Sequence, residues 1–542
     1  MPTFDLIREP WIPVVDLEGR ATQVGIREAL VRAHEFREIR DPLPILEFGV
    51  YRFLTALLLD MLRPETSDDY LDLWDAQHSG ISADRVDAYL AKHQSRFDLF
   101  HPKWPFYQDA SLEPVVAGKK DLKPVALLHP GVPTGTNINH FHHFREEEFA
   151  VAPAVAARLL TAVPAFQTMG GAGLSPSVNG APPWYTVALR PTLAETLLIN
   201  MPSQVPEQAT GVGKPAWRRD EPLVGKQSQL TLLDALTWLP RRILLAPEES
   251  KAECSLSGAR PGLLIRRMVF VAGVGNDASL IWTGDPNVAY RPGKDMQLPI
   301  RPSEGREVWR DTGALAFHAM SDGKGGVFQR PAVVEQLERV LKETTAGAGA
   351  EAQFSLRLYG MRTDLKTKVY EWQTERLAVP TKLLGAANPT WMGLVHREAH
   401  QAMEQAEGVS RAIRLCLKKA YPRDAGGNKK AFDTLIGAAQ GEFWGSVRPD
   451  YNRMLRELAD APTEAAAEQT YLAEARGKWK NAVLSTARQI LHRATEDLDS
   501  NREALRRLVE ARSLFEGLAG KVFPPPAAAP TPKRGRTPAK KA

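Results

Sequence analysis

The sequence predicts an α+β protein in three parts: a large, mixed, loop-rich N-terminal domain (1–388), a C-terminal antiparallel four-helix bundle (389–523) and a disordered basic tail (524–542). Three observations predict this organisation. Clusters of Gly and Pro separate short strand-like runs in the N-terminal part, and long amphipathic helical patterns follow Pro389. The last segment is rich in Pro and Ala and then in Lys and Arg, a composition that cannot assemble an apolar core.

The composition is that of a folded globular protein and excludes a wholly disordered chain. The 542 residues are 43% hydrophobic and 25% charged, as in ordinary globular proteins. The 69 basic and 64 acidic residues give a net charge of +5, but five of the basic residues lie in the tail, which holds no acid. The folded body is therefore close to neutral, and net charge alone does not identify it as a nucleic-acid-binding protein.

The compartment that we expect is the cytoplasm. The first ten residues lack the apolar stretch of a signal peptide, and the most apolar segments, 54–62 and 150–166, are interrupted and too short to span a bilayer. The two cysteines, Cys254 and Cys416, lie far apart in the sequence, which suits a reducing compartment and excludes a four-cysteine zinc site. We expect no transmembrane helix.

The N-terminal domain begins with short strands within 4–24. Apolar residues at helical spacing then predict helices over 26–36 and, with a stronger pattern, over 44–61. Beyond residue 100, brief strand-like runs such as 185–189 and 263–271 are separated by Gly- and Pro-containing loops. These patterns predict a loop-rich α+β body.

The C-terminal part contains four helical patterns, separated by breaks rich in Pro, Gly or Asp: 390–421, 428–459, 463–496 and 501–521. The third and fourth patterns each place their apolar residues on one face: Trp479, Val483, Ala487, Ile490 and Leu491 in the third, and Leu505, Leu508, Phe515 and Leu518 in the fourth. An antiparallel four-helix bundle buries such stripes against one another.

Signals for catalysis are weak. No complete glycine motif for binding a phosphate or a dinucleotide occurs. His396, His400 and Glu404 share one helix face, as zinc ligands do, but Arg397 stands where the zincin motif requires glutamate. A second histidine cluster at 140–143 matches no established ligand spacing. We therefore expect no catalytic residue, metal or cofactor, and keep a metal-dependent hydrolase or nuclease as the alternative.

A glycine-rich loop is the first of three features that suit contact with DNA. Four glycines fall within the eleven residues 170–180. Backbone without Cβ atoms approaches another surface closely and offers its N–H groups to acceptors, which suits the narrow minor groove of DNA. An ordinary surface turn is the alternative interpretation of this segment alone.

The other two features are a pair of arginines and a hairpin. Arg266 and Arg267 lie in the strand-like run 263–271, where alternation sends them to opposite faces, so that one projects toward a ligand and the other meets solvent or an acid. Residues 358–372 read as two strands joined by a polar turn at 364–367, and such a tip has the shape of a wedge between base pairs. Surface charge and a plain chain reversal are the respective alternatives.

Together these features resemble the CasA family, the large subunit of the type I-E CRISPR surveillance complex Cascade. The resemblance begins with Phe-Asp-Leu-Ile-Arg-Glu-Pro-Trp-Ile-Pro-Val at 4–14 and continues through Gly-Val-Pro-Thr-Gly-Thr-Asn at 131–137. It includes the glycine loop at 168–173, the turn after Tyr-Gly-Met-Arg at 359–362 and the C-terminal helices. It covers nearly the whole chain before the tail, and its specificity lies in the order and spacing of these motifs.

The resemblance implies a noncatalytic subunit that recognises the protospacer-adjacent motif (PAM) of double-stranded DNA from the minor groove, while the guide RNA reads the adjoining sequence by base pairing. It also implies a role in starting strand separation and a docking surface for the helicase-nuclease that cleaves in trans. The implied partners are the other Cascade subunits, the CRISPR guide RNA, the target duplex and that helicase-nuclease, with no membrane.

The resemblance also assigns roles to residues. The PAM-binding set consists of the glycine loop and the position where the family commonly has a lysine: Thr168, Gly170, Gly171, Ala172, Gly173 and Arg267. The loop implied to anchor the subunit near the guide-RNA 5′ handle contains Asn137, Asn139, His140 and Phe141. At the wedge, where some members have glutamine, this sequence departs from the family pattern with Asp364, Leu365 and Lys366 in a turn one residue longer. Leu365 is suited to insertion and Lys366 to a phosphate contact, and the sequence leaves open which residue inserts.

Overall fold

The computed structural model describes most of the chain: residues 2–78, 80–119, 121–130, 132, 148–170, 173–294, 296–317, 326–343, 353–365, 368–384, 389–421, 429–462, 465–499 and 501–524. The structure divides into two compact units, Met1–Ala387 and Asn388–Ala542. Within the described ranges, no helix is long and apolar enough to cross a membrane.

The helices are, in chain order, α1 Ile26–Val31, α2 Pro44–Leu62, α3 Ser67–Gln77, α4 Ala83–Lys92, α5 Glu113–Ala117, α6 Pro153–Phe166, α7 Leu193–Asn200, α8 Leu232–Leu236, α9 Thr312–Ala316, α10 Ala332–Glu343, α11 Pro389–Ala420, α12 Lys429–Ala459, α13 Ala465–Ala494 and α14 Arg502–Val522. The strands are β1 Ile12–Asp16, β2 Ala21–Val24, β3 Phe36–Ile39, β4 Lys123–Pro124, β5 Tyr185–Leu189, β6 Gly225–Gln227, β7 Arg241–Glu249, β8 Leu263–Ala272, β9 Val274–Asn276, β10 Tyr290–Pro292, β11 Gln297–Pro299, β12 Gln353–Thr363 and β13 Val369–Pro380. This mixture confirms the predicted α+β class.

Small sheets surround a helical core in the N-terminal unit. The three-stranded sheets have the orders β2-β1-β3, β13-β12-β5 and β4-β8-β7, and two pairs, β10-β11 and β6-β9, complete the set. Helix α2 is buried along nearly its whole length and contacts α6, α7 and β12. Its apolar residues fill the core, and the charged residues that it also buries have partners, such as Asp285 for Arg52.

The predicted helix over 26–36 is wrong beyond its first half. Helix α1 ends at Val31, a short 3₁₀ turn covers Ala33–Glu35, and strand β3 begins at Phe36. Strand β3 pairs antiparallel with β1. Apolar residues at 36 and 39 suit either the spacing of a helix or the burial of a short strand, and pairing with β1 decides for the strand.

Four long helices make up the described part of the C-terminal unit. Side-chain pairs join α12 to α13 at two levels: Lys478 with Glu457 at 3.0 Å, and Arg493 with Glu442. Because the residue numbers rise along α13 while they fall along α12, the two helices run in opposite directions. Helix α11 contacts each of the other three. The antiparallel four-helix bundle is our interpretation of these contacts.

Candidate nucleic-acid interface

The glycine-rich loop leaves the end of α6 and returns within a dozen residues. The amide of Ser177 donates to the carbonyl of Gln167 at 2.9 Å and closes the base of the loop. Nearer the tip, the amide of Gly170 donates to the carbonyl of Leu174 at 3.4 Å. Met169 at this end is 43% exposed. The described part of the loop is therefore tied at its base and exposes the thioether of Met169.

A single guanidinium holds both arms of the loop. Arg241, the first residue of β7, is only 1% exposed. Its Nη2 donates to the carbonyl of Thr168 at 2.8 Å, and its Nη1 donates to the carbonyls of Ser175 and, at 2.9 Å, Pro240. Since an arginine presents its donors in a rigid planar fork, these contacts fix the two arms at a set separation. We call this set of contacts from Arg241 to the loop carbonyls the clamp.

Among the described residues, no acid neutralises the charge on Arg241. No described carboxylate lies within ion-pair distance of it, and its Cζ lies 5.4 Å from the ring centroid of Phe270. Burial lowers the pKa of Arg241 to about 10, so the side chain stays protonated near neutral pH. A cation at the base of the loop raises the electrostatic potential there, which favours a polyanion.

Two glycines are required by different physical constraints. A Cβ on Gly170 would lie 3.0 Å from Nη2 of Arg241 and 3.3 Å from Cδ1 of Leu174, so a side chain there disturbs the clamp. Gly173 has φ +82°, and a Cβ there would meet no described atom within 4 Å. The left-handed backbone, with open space around it, is what a loop needs to approach a ligand closely.

The far end of the loop is fixed to the protein core. Asn179 donates from Nδ2 to Oδ2 of Asp285 at 2.7 Å, and Arg52 of α2 pairs with the same carboxylate at 2.6 Å. Asn276 donates to the carbonyl of Val178 at 3.0 Å. Because the Arg52–Asp285 pair is almost fully buried, the segment that follows the loop has a rigid support.

Arg266 and Arg267 lie at an irregular place in strand β8: Ala246 pairs with Arg267 and Pro247 with Ile265, so Arg266 is the extra residue of a β-bulge. The bulge interrupts the regular alternation on which the prediction of opposite faces rested. Arg266 donates from Nε to Glu248 at 2.7 Å and from Nη1 to the carbonyl of Glu148 at 3.2 Å. Arg267 is half-buried, and no side-chain hydrogen bond or ion pair joins it to another described residue. Arg267 is therefore the member of the pair that is available to a ligand.

The structure does not bring Arg267 beside the clamp of the loop. Arg241 pairs in register with Ala272, whereas Arg267 pairs with Ala246 and with Pro124 of β4. Ala272 and Arg267 are five residues apart along β8, which corresponds to roughly 17 Å. Alternation also puts Arg267 on the face opposite Phe270, the ring that Arg241 contacts. The loop and Arg267 can touch one duplex only at separate positions along it.

The predicted wedge is the tip of the hairpin formed by β12 and β13. Asp364 and Lys368 close the turn through two hydrogen bonds, from Asp364 N to Lys368 O at 3.0 Å and from Lys368 N to Asp364 Oδ1 at 2.9 Å. The amide of Leu365 donates to Oγ1 of Thr363 at 3.0 Å. Leu365 has φ +64° and is 64% exposed.

A leucine in this conformation needs an explanation. The left-handed region costs an ordinary residue about 1 kcal/mol, and glycine or asparagine normally occupies it. A bulky, exposed, apolar side chain in a strained turn adds nothing to the hydrophobic core. Strained conformations of this kind cluster at functional sites, and here the strain places an apolar side chain in solvent at the tip of the hairpin.

The comparisons with known proteins agree with this architecture. Residues 5–490 match the family described as CRISPR-associated protein Cse1 (CRISPR_cse1). The chain belongs to the Cse1 family. A relative from Thermus thermophilus, described as CRISPR-associated protein CasA/Cse1, is 33% identical over 392 residues, which are 70% of this chain and 72% of the relative. The resemblance to the CasA family drawn from the sequence is thereby confirmed.

Solved structures have the same fold as this Cse1 chain. The crystal structure of Thermus thermophilus CasA superposes with a TM-score of 0.72 at 26% identity and covers 96% of this chain and 99% of that one. A chain of a CRISPR RNA-guided surveillance complex gives a TM-score of 0.73 at 19% identity, with coverage of 95% and 100%, and shows the fold alone.

Several predicted residues of this Cse1 chain lie outside the described ranges. They are the whole anchoring set, two loop residues and one wedge residue: Asn137, Asn139, His140, Phe141, Gly171, Ala172 and Lys366. Their roles remain predictions. Thr168, Gly170, Gly173, Arg267, Asp364 and Leu365 are the predicted site residues that the structure describes.

The described residues do not support the alternative metal site. His400 lies 3.5 Å from Glu404, its neighbour one helical turn away, and His396 is 6% exposed. No group of three or more His, Cys, Asp or Glu side chains in the described ranges is placed to hold a metal ion. The second histidine set, 140–143, lies outside those ranges.

The residue that the sequence did not reveal is Arg241. Its partners, Thr168 and Ser175, are 73 and 66 residues away, and no local pattern connects them. One signal was present: the Arg241–Arg242 pair opens an apolar strand, and alternation buries one of two adjacent arginines. Arg242 takes the ordinary role and pairs with Asp109.

Proposed function

We propose that this Cse1 chain is the noncatalytic large subunit of a type I-E CRISPR RNA-guided surveillance complex and recognises the PAM from the minor groove of target DNA. Its partners are the other Cascade subunits, the CRISPR guide RNA and the target duplex. The helicase-nuclease that cleaves the target docks on this subunit in trans.

The observation that carries the proposal is the clamped glycine loop. A minor groove about 6 Å wide admits backbone and slender side chains, and distinguishes A·T from G·C pairs by the single amino group of guanine. The loop offers open backbone at Gly173, and its two arms are held by the buried cation Arg241. A rigid loop loses little conformational entropy on binding, so small differences between base pairs become differences in affinity.

Strand separation is the second part of the proposal. Leu365 enters the duplex next to the PAM and unstacks one base step, because an apolar wedge replaces the lost stacking with contact to its own surface. Arg267, whose guanidinium has no partner among the described residues, binds the backbone or groove at a separate position on the same duplex. Asp364 stabilises the turn from within through its hydrogen bond to Lys368.

The experiment is binding of a reconstituted guide-RNA complex to a library of duplexes that differ only at the PAM. With this chain present, we expect affinity to vary strongly with the PAM, and strand opening to start at its edge. Without the chain, both effects should disappear. Equal PAM selectivity in complexes with and without this subunit would contradict the proposal.

A further inference from the structure

Tyr370 occupies an irregular position near the tip of the wedge hairpin. Arg362 pairs in register with Glu371, and the next residue, Thr363, pairs with Val369, so Tyr370 is the extra residue of a β-bulge. A bulge re-aims a side chain out of the regular alternation of a strand, and bulges are common beside functional sites. Tyr370 is 54% exposed, which is high for an aromatic residue in a strand.

One face of the Tyr370 ring is backed by a cation. Cζ of Arg362 lies 4.7 Å from the ring centroid. The guanidinium is itself held in place, because its Nε donates to Glu371 at 2.7 Å and its Nη1 lies 3.5 Å from Glu304. More than half of the Tyr370 surface remains exposed to solvent. A fixed aromatic ring with a guanidinium behind it is a stacking surface.

The stacking surface lies next to the turn that carries the predicted wedge. The pair Thr363–Val369 is the last in the ladder before the turn that carries Leu365. Tyr370 follows Val369 directly, so its backbone lies about 3.3 Å along the strand from the final pair. Leu365 and Tyr370 therefore lie at the same end of the hairpin, five residues apart in the chain.

We propose that Tyr370 is a stacking platform for an unpaired nucleobase at the edge of the opened duplex, with Arg362 as its positioning residue. The inference rests on the proposed function, because it needs DNA opened at this hairpin. Every base has a π-face, so the platform holds whichever base follows the PAM without selecting among them. It acts after opening, by delaying the return of the base to the duplex.

The test uses the reconstituted guide-RNA complex and two target duplexes, one fully paired and one with a mismatched bubble beside the PAM. The displaced strand carries 2-aminopurine at its first unpaired position, a base whose fluorescence falls when it stacks. The variants are Tyr370→Leu, which keeps apolar bulk without a π-face, and Tyr370→Phe, which keeps the ring. Tyr471→Leu, on α13, is the matched control.

We expect Tyr370→Leu to raise the fluorescence on both duplexes and to weaken binding of the bubble by about fivefold, the loss typical of one base–aromatic stack. Tyr370→Phe and Tyr471→Leu should behave as wild type. Unchanged fluorescence with Tyr370→Leu on the bubble would overturn the platform, even if PAM selectivity stays intact. Loss of PAM selectivity in the wild-type complex would instead count against the proposed function, and the bubble would still test the platform.

Discussion

The guanidinium of Arg241 reaches the carbonyl of Thr168 at 2.8 Å across 73 residues of sequence, and its other terminal nitrogen reaches the carbonyl of Ser175. One buried side chain on β7 thus sets the separation of the two arms of the glycine loop. Arg241 touches no proposed ligand. In the proposed function it acts through the loop, as a positioning residue.

Replacing Arg241 with Met should loosen the loop while β7 stays in place. The change leaves carbonyls of the loop without donors, and we expect the free energy of unfolding to fall by about 2 kcal/mol, because the lost buried charge offsets part of that penalty. Hydrogen exchange at 168–177 should accelerate, and PAM selectivity in the reconstituted complex should fall. Arg241→Lys should recover part of both, and an unchanged exchange rate in Arg241→Met would refute the clamp.

Gly173→Ala tests the open backbone of the loop against a matched glycine. Gly173 has φ +82° and Gly19 has φ +89°, and a Cβ at either position meets no described atom within 4 Å. Both alanine variants should therefore lose about 1 kcal/mol of stability from the left-handed conformation. DNA affinity of the complex should fall only for Gly173→Ala. Equal affinity of the two variants would remove this backbone from the interface.

Leu365→Gly separates the wedge from the stability of its turn. Glycine relieves the strain at φ +64° but has a larger entropy loss on folding, so we expect the stability to change by less than about 0.5 kcal/mol. Opening of a fully paired target, followed by permanganate reactivity of thymines beside the PAM, should drop at least fivefold. Leu365→Met keeps the apolar bulk and should retain opening; normal opening by Leu365→Gly would exclude this residue as the wedge.

Arg267→Ala and Arg266→Ala form a natural pair of variants. Arg267 has no described partner, whereas Arg266 already pairs with Glu248. If Arg267 binds a phosphate, its removal should weaken DNA binding and reduce the slope of log affinity against log salt by about one. Arg266→Ala should leave that slope unchanged. The same slope in both variants would remove Arg267 from the interface.

The Asp109–Arg242 pair predicts a pH dependence of stability. Burial raises the pKa of Asp109, but hydrogen bonds from Ser111 and Arg242 outweigh burial and hold the pKa below its ordinary value of 3.8. The stabilisation is therefore present above the ordinary pKa and is lost as the pH falls through the lower folded value. Asp109→Asn should lower the Tm by about 2 °C at pH 7 and by less as the pH approaches 2. A difference that grows in acid would contradict this sign.

Helices and strands with a regular spacing of apolar residues could be predicted from the sequence. Contacts between residues that are far apart in the chain could not. The apolar stripe around Trp479 predicted its helix, whereas the β-bulge at Arg266 interrupts the alternation expected across Arg266 and Arg267. The hydrogen bonds of the Arg241 guanidinium depend on which distant carbonyls the fold brings to β7. The bulge at Tyr370 depends on register between two strands, which a single sequence does not specify. The helix predicted over 26–36 ends at Val31, because the residues from Phe36 onward pair with β1 as a strand.

The most direct measurement is the ratio of affinities for a duplex with the preferred PAM and one with a disfavoured PAM, determined for reconstituted complexes containing wild-type, Gly173→Ala or Gly19→Ala subunit. The account predicts a large ratio for wild type and Gly19→Ala and a ratio near one for Gly173→Ala. A large ratio retained by Gly173→Ala, in a complex of normal stability, would show that PAM selectivity is generated elsewhere.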